Sequence, residues 1–191
     1  MDIFFRSIYT FKTSLKFRDF LKHVYDSKAI NRVSDISIKY LRDNHIKALV
    51  LDFDGVLSPH GYSTPTEEVN KWLNVILRSE GCPLLFILSN NPSPERIDFF
   101  ARNYPQIEFV VSERKKPFPH GLNSICARHA LDSSRVVIVD DRLLTGVLAA
   151  ANAGVKAIFI KNPYEDFKSN LFKELLFACF RIMDKLFILR I

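Results

Sequence analysis

The chain has 191 residues, 48% hydrophobic and 25% charged, with a net charge of +6. This balance excludes a disordered chain and a small disulfide scaffold, and suits one α/β-sized domain with a sizeable core. No stretch of about 18 uncharged apolar residues is present, so no spanning helix is expected, and three isolated cysteines, Cys82, Cys126 and Cys179, point to a reducing compartment.

Residues 1–31 form an aromatic and basic arm, in which Phe4, Phe5, Tyr9, Phe11, Phe17, Phe20 and Tyr25 alternate with Arg6, Lys12, Lys16, Arg18, Lys22 and Lys28. Met1-Asp2 is no basic leader, and Arg6, Lys12 and Lys16 interrupt any apolar run, so the arm does not read as a signal peptide. Leu15, Phe20 and Val24 fall near helical spacing, which predicts a partly helical, amphipathic arm suited to an anionic surface.

Residues 32–164 read as the core of the domain. Ser34 is expected to cap a helix reaching Asn44, with Ile36, Ile38 and Leu41 as its apolar residues. Ala48–Leu51 is apolar on both faces and reads as a buried parallel strand, ending in Asp52, Phe53, Asp54 and Gly55. Thr64, Pro65 and Glu67 predict a helix start, and Gly81 its end after Glu80. A strand at Leu84–Leu88 runs into Ser89-Asn90-Asn91, and Ser93-Pro94 opens a helix closed by Pro105. Further strands are expected at Ile107–Val111, Val136–Val139 and Ala157–Ile160, with helices over 118–131 and Leu143–Asn152 between them. Residues 165–190 form a last helix. Alternation of this kind defines a doubly wound parallel sheet of about five strands, with no room for a separate cap domain.

The strand ends carry the chemistry. Asp52 and Asp54 point the same way beyond the first strand, Ser89 and Asn90 follow the second, Lys115 and Lys116 the third, and Asp140 and Asp141 the fourth. In a parallel sheet these ends share one edge, where ligands bind. Each has a plainer reading: Ser89-Asn90-Asn91 as a turn, Lys115-Lys116 as a solvated face, Asp140-Asp141 as a helix cap. Four such ends in succession are poorly explained by those readings. Carboxylates, a hydroxyl and an ammonium together suit a divalent cation and a phosphate. A carboxylate can itself attack phosphorus.

LDFDGVL, ILSNN, KKP and VDDRLLTG, in that order, resemble the four motifs of the haloacid dehalogenase superfamily of aspartate-nucleophile phosphatases. The stretch DRLLTGVLAANAG is similar to the YqeG-type branch of subfamily IIIA, whose relatives are phosphatidylglycerophosphate phosphatases, over residue 20 to the C-terminus. The resemblance implies a haloacid dehalogenase fold with no or minimal cap and Mg2+ as cofactor. It implies that Asp52 is the nucleophile, that Asp54 is the acid and base (its backbone carbonyl facing the metal), that Ser89 and Asn90 hold phosphoryl oxygens, and that Lys116, rather than Lys115, pairs with phosphate. Asp141 matches the metal-anchoring acid. The family often has an acid where this chain has Gly146 and a glycine where it has Asp140, so Asp140 is expected to assume the missing metal duty, and either acid could be the direct ligand. Gly55-Val56 stands where that branch usually has Asn-Thr.

The last helix places Leu171, Phe172, Leu175, Leu176, Cys179, Met183 and Leu186 on one stripe, which reads as core or oligomer contact ahead of membrane. His60 reads as a loop histidine without a duty. The implied substrate is phosphatidylglycerophosphate, in a cytoplasmic protein able to sit on the inner face of an anionic membrane. The alternatives are a soluble capless phosphatase of a sugar phosphate or similar metabolite, and a catalytically silent binding protein of the same fold. No nucleic-acid module is visible.

Overall fold

A computed structural model describes residues 2–27 and 30–190, with side chains from Phe4 onward; Met1 and Lys28, both used above, lie outside the described residues. Five strands, β1 (Ala48–Leu51), β2 (Leu84–Ile87), β3 (Ile107–Phe109), β4 (Val136–Asp140) and β5 (Lys156–Phe159), form one parallel sheet in the order β3-β2-β1-β4-β5. The chain works outward from β1 to β3, then returns to place β4 on the other side of β1. The reversal falls between β1 and β4, the crevice where such sheets bind ligands. Leu51 pairs with Ile87 on one side and Val139 on the other, so Asp52, Ser89 and Asp140 all emerge at the same edge.

Alternate strand residues feed two cores. Leu49, Leu51, Ile87 and Val139 face α4 (Glu67–Arg78) and α5 (Pro94–Asn103), which contribute Val69, Leu73, Ile76 and Phe100. Val50, Phe86 and Ile138 face α6 (His120–Arg128) and α7 (Leu148–Ala153), which contribute Leu122, Ile125, Ala149 and Ala150. These helices bury an apolar stripe against the sheet, as an amphipathic helix should. Ser93 caps α5 by accepting from the Arg96 N–H, with Pro94 at its first position, and Gly154 ends α7 in the left-handed conformation at φ +71°.

Several boundaries depart from the sequence reading. In place of one helix after Ser34, a 3-10 turn (Val33–Asp35) precedes a short α3 (Ile38–Asp43). The Asp35 carboxylate accepts from the Asn31 and Arg32 N–H groups and tightens that turn, while Ser37 caps α3. Thr66, not Thr64-Pro65, caps α4, and α4 stops at Arg78. The Leu143–Asn152 helix opens as a π-helical turn (Leu143–Val147). The arm is helical almost throughout, as α1 (Asp2–Lys16) and α2 (Arg18–Asp26); Leu21 and Val24 of α2 are buried against Leu143, Val147 and Phe159.

The largest departure is α8 (Leu171–Arg190), which begins six residues later than expected. The Asp166 carboxylate accepts from the Lys168 and Ser169 N–H groups and holds the preceding segment in a turn. Every member of the Leu171–Leu186 stripe is exposed, Phe172 by 84%, so the stripe is not core. The buried residues of α8 are Glu174, Arg181, Asp184 and Ile188. A helix normally sends its charges to water; α8 sends three of them inward because each meets an ionic or hydrogen-bonding partner there, which burial of a charge requires.

Candidate active site

Asp52 leaves β1 with its Oδ1 accepting from the Phe53 N–H at 2.8 Å. Lys116 Nζ lies 3.0 Å from Asp52 Oδ1 and 2.6 Å from Asp140 Oδ2, and all three side chains are buried or nearly so. Burial disfavours the Lys116 ammonium, but Asp140 and Asp52 outweigh it and its pKa is raised. Asp52 is pushed well above the usual carboxylate range, first by burial and then by Asp140, Asp141 and Asp54, with Lys116 opposing. Asp141 rises to about 7 through burial and its neighbour Asp140, against Arg181 and Arg142. Crowded buried acids of this kind are what a bound cation relieves.

Two glycines make the cluster possible. A Cβ on Gly146 would lie 1.9 Å from Asp140 Oδ2, so Asp140 occupies the space that a side chain at 146 would need. The acid at 140 and the glycine at 146 therefore read as one exchange. Gly55, at φ +79°, lets Asp141 approach so closely that an added Cβ would lie 2.5 Å from its Oδ2. Asp140 is held besides by the Arg142 N–H at 2.9 Å.

One carboxylate oxygen from each of Asp52, Asp140 and Asp141 lies within 4.8 Å of the others. Magnesium takes oxygens at about 2.1 Å, so opposite ligands stand about 4.2 Å apart. Three hard oxygen donors, all within 4.8 Å of one another, can share one ion at that reach. Asp54, expected beside them, has its carboxylate elsewhere: Arg96 grips both oxygens, Nη1 to Oδ2 at 2.9 Å and Nη2 to Oδ1 at 2.7 Å. Arg96 also donates to the Tyr62 and Asn91 carbonyls and stacks over Phe53.

Ser89 is buried at the β2 end and accepts from the Asn91 N–H at 3.1 Å. Asn90 turns its amide onto the backbone of Lys116, accepting from its N–H at 2.7 Å and donating to its carbonyl at 3.2 Å. Asn90 thus fixes the residue whose ammonium reaches Asp52. Lys115 is exposed.

The residues that sequence reasoning passed over come from far along the chain. Arg181 of α8 donates to Asp141 Oδ2 at 2.9 Å and pairs with Glu165. Arg142 Nε reaches Asp184 at 2.7 Å. His60 is not idle: its backbone N–H and Nδ1 meet the buried Glu174, both at 2.9 Å, and its ring stacks on Phe177. A cavity of about 820 Å3 covers the cluster, walled by α1 and α8.

Fold and site together define a haloacid dehalogenase-type phosphatase without an inserted cap among the described residues. The sequence family described as mitochondrial PGP phosphatase matches residues 9–165, and this chain belongs to it. The match begins earlier than residue 20 and stops before α8, so the helix carrying Arg181 lies outside the matched region. No curated protein matches the chain. Among solved structures, an uncharacterized protein from Listeria monocytogenes is 15% identical, with 65% of this chain and 84% of that one aligned at a TM-score of 0.50. An uncharacterized protein from Corynebacterium glutamicum is 22% identical over 70% of this chain and 92% of that one, at 0.48. A haloacid dehalogenase family enzyme from Bacteroides thetaiotaomicron, in complex with magnesium and inorganic phosphate, is 13% identical over 66% and 99%, at 0.45. No helix among the described residues is long and apolar enough to cross a membrane.

Proposed function

We propose that this chain hydrolyses the terminal phosphomonoester of phosphatidylglycerophosphate, with Asp52 as nucleophile, while seated on an anionic bilayer. The observation that carries the chemistry is Lys116, held by Asn90 and placed between Asp52 and Asp140. Its ammonium draws Asp52 toward the ionised form in a place that otherwise favours the acid, and offers a further N–H to a phosphoryl oxygen. Ser89 supplies a hydroxyl to the same group. Asp52 attacks phosphorus and forms an aspartyl-phosphate. Asp54, once its carboxylate exchanges an Arg96 contact for the leaving oxygen, gives a proton to that oxygen and takes one from the water that releases phosphate. Magnesium, held by Asp52, Asp140 and Asp141, would neutralise the charge gathered between nucleophile and phosphate.

The family match supports the lipid substrate. The surface supports the seat. Phe4, Phe5, Phe11 and Leu15 of α1 and the whole outward stripe of α8 are exposed, beside Arg6, Lys12, Lys16 and Lys185. Exposed apolar helix faces rimmed by cations suit the boundary layer of an anionic leaflet.

Turnover of phosphatidylglycerophosphate, measured with and without magnesium beside soluble phosphomonoesters, tests the reading. Asp52→Asn should leave the fold intact and abolish phosphate release from every substrate, since an amide is no nucleophile here. Retained turnover in that variant, or a preference for soluble sugar phosphates, refutes the mechanism or the substrate respectively.

A further inference from the structure

The cavity over the acid cluster is far larger than one phosphate requires, and its wall is not neutral. Of the cations that line it, Lys116 is paired with Asp52 and Asp140, and Arg142 with Asp184. Arg6 and Lys115 also line it, and among the described residues neither enters an ion pair. The segments that carry them are in contact. Tyr9, one turn along α1 from Arg6, stacks on Phe118, three residues after Lys115, with ring centroids 4.4 Å apart.

Helix α1 is built for this placement. Arg6, Thr10 and Ser14 recur at a spacing of four and form a polar stripe along the cavity wall, while Phe4, Phe5 and Leu15 are exposed. Thr10 and Ser14 turn their hydroxyls onto the carbonyls of Arg6 and Phe11, so the charge this helix presents to the cavity is the Arg6 guanidinium.

We infer that Arg6 and Lys115 form a second anion subsite, which takes a phosphodiester borne by the leaving group while the monoester lies at Asp52. This deepens the reading above and rests on it: phosphatidylglycerophosphate carries one phosphate of each kind, joined by a single glycerol. An arginine fork matches the two free oxygens of a diester, and a lysine adds a point charge. The subsite selects two-phosphate lipids over lipids that carry the monoester alone.

The test compares short-chain phosphatidylglycerophosphate, short-chain phosphatidate and p-nitrophenyl phosphate, each kept below its aggregation threshold, for the full chain and for Arg6→Gln, Lys115→Gln and the double variant. Removing one charge-assisted contact should lower kcat/KM on the two-phosphate lipid by about tenfold, chiefly through KM, and by much less on phosphatidate. The double variant should widen that ratio further. Equal losses on the two lipids, or no loss on the two-phosphate lipid, overturn the subsite while leaving the lipid reading standing. Wild-type turnover of p-nitrophenyl phosphate with none of either lipid overturns the lipid reading and the subsite with it.

Discussion

Helices α4 and α8 are both amphipathic, and they face opposite ways. Helix α4 turns Val69, Trp72, Leu73 and Ile76 inward, and Glu67 and Lys71 pair in solvent. Helix α8 turns Glu174, Arg181 and Asp184 inward and leaves its leucines, Phe172 and Phe180 outside. The difference lies in what each helix covers. Helix α4 lies on an apolar sheet face, where burying aliphatic area is the main source of stability. Helix α8 lies over the polar strand ends, where Asp141, Arg142 and His60 need counterparts. A helix laid on a site is selected for its charges, and its apolar face is left to meet something other than the core.

If that contrast holds, removing an inward group from α8 should behave like breaking a buried ion pair, not like trimming a surface charge. Arg181→Met strands Asp141 and Glu165, a change expected to cost about 3–5 kcal/mol, near the lower figure because burial and Asp140 already push Asp141 toward its neutral form. Denaturant unfolding of the metal-free protein measures it, and a loss below about 0.5 kcal/mol, the usual size for a surface substitution, would erase the contrast. The matching change in α4, Leu73→Ala, removes a fully buried side chain and should cost about 2–4 kcal/mol through lost burial and a cavity. Here turnover should change little, whereas Arg181→Met should lower it together with stability.

The same contrast explains what was legible in the sequence. Apolar runs and strand-end polar groups are local, so the sheet, Asp52, the Asp140-Asp141 pair and the Lys115-Lys116 pair could be found from spacing, and the family resemblance singled out Lys116. Arg96, Arg181 and His60 could not: their partners lie 42, 40 and 114 residues away. A charge on an amphipathic helix ordinarily means solvent, so the periodicity of α8 was legible and its orientation was not. One signal was available. Phe177, Phe187, Ile188 and Leu189, added to the stripe, make the apolar surface of this helix broader than one sheet face covers. Asn90 taught a smaller lesson: a motif residue can serve the site by fixing a neighbour's backbone.

His60 sharpens the comparison at intermediate size. Burial lowers its pKa, with the Glu174 hydrogen bond and charge opposing. A histidine whose folded pKa lies below its unfolded value of about 6.5 favours the fold fully above that pH. Its contribution falls as pH drops through 6.5 toward the folded pKa, because the unfolded chain binds the proton first. Wild-type Tm should therefore decline more steeply from pH 7.5 to 5.5 than that of His60→Gln, by a few degrees. Parallel curves would mean that Glu174 holds the ring indifferently in both charge states, and that this contact is not one that α8 was turned inward to make.

The smallest stability effect belongs to the outward face. Phe172 and Met183 are 84% and 62% exposed, so replacing both by glutamate should move the unfolding free energy by no more than about 0.5 kcal/mol each. Such a change in the apolar stripe of α4 would abolish folding. The consequence should appear only with lipid: sedimentation with anionic vesicles drops severalfold, while turnover of p-nitrophenyl phosphate stays within about threefold, because neither residue reaches the strand ends. A variant that pellets like wild type would show that the exposed stripe is not what holds the protein to the bilayer. A variant that unfolds would show that the stripe is buried against a second copy in solution, and the opposition between α4 and α8 would then be one of partners, not of orientation.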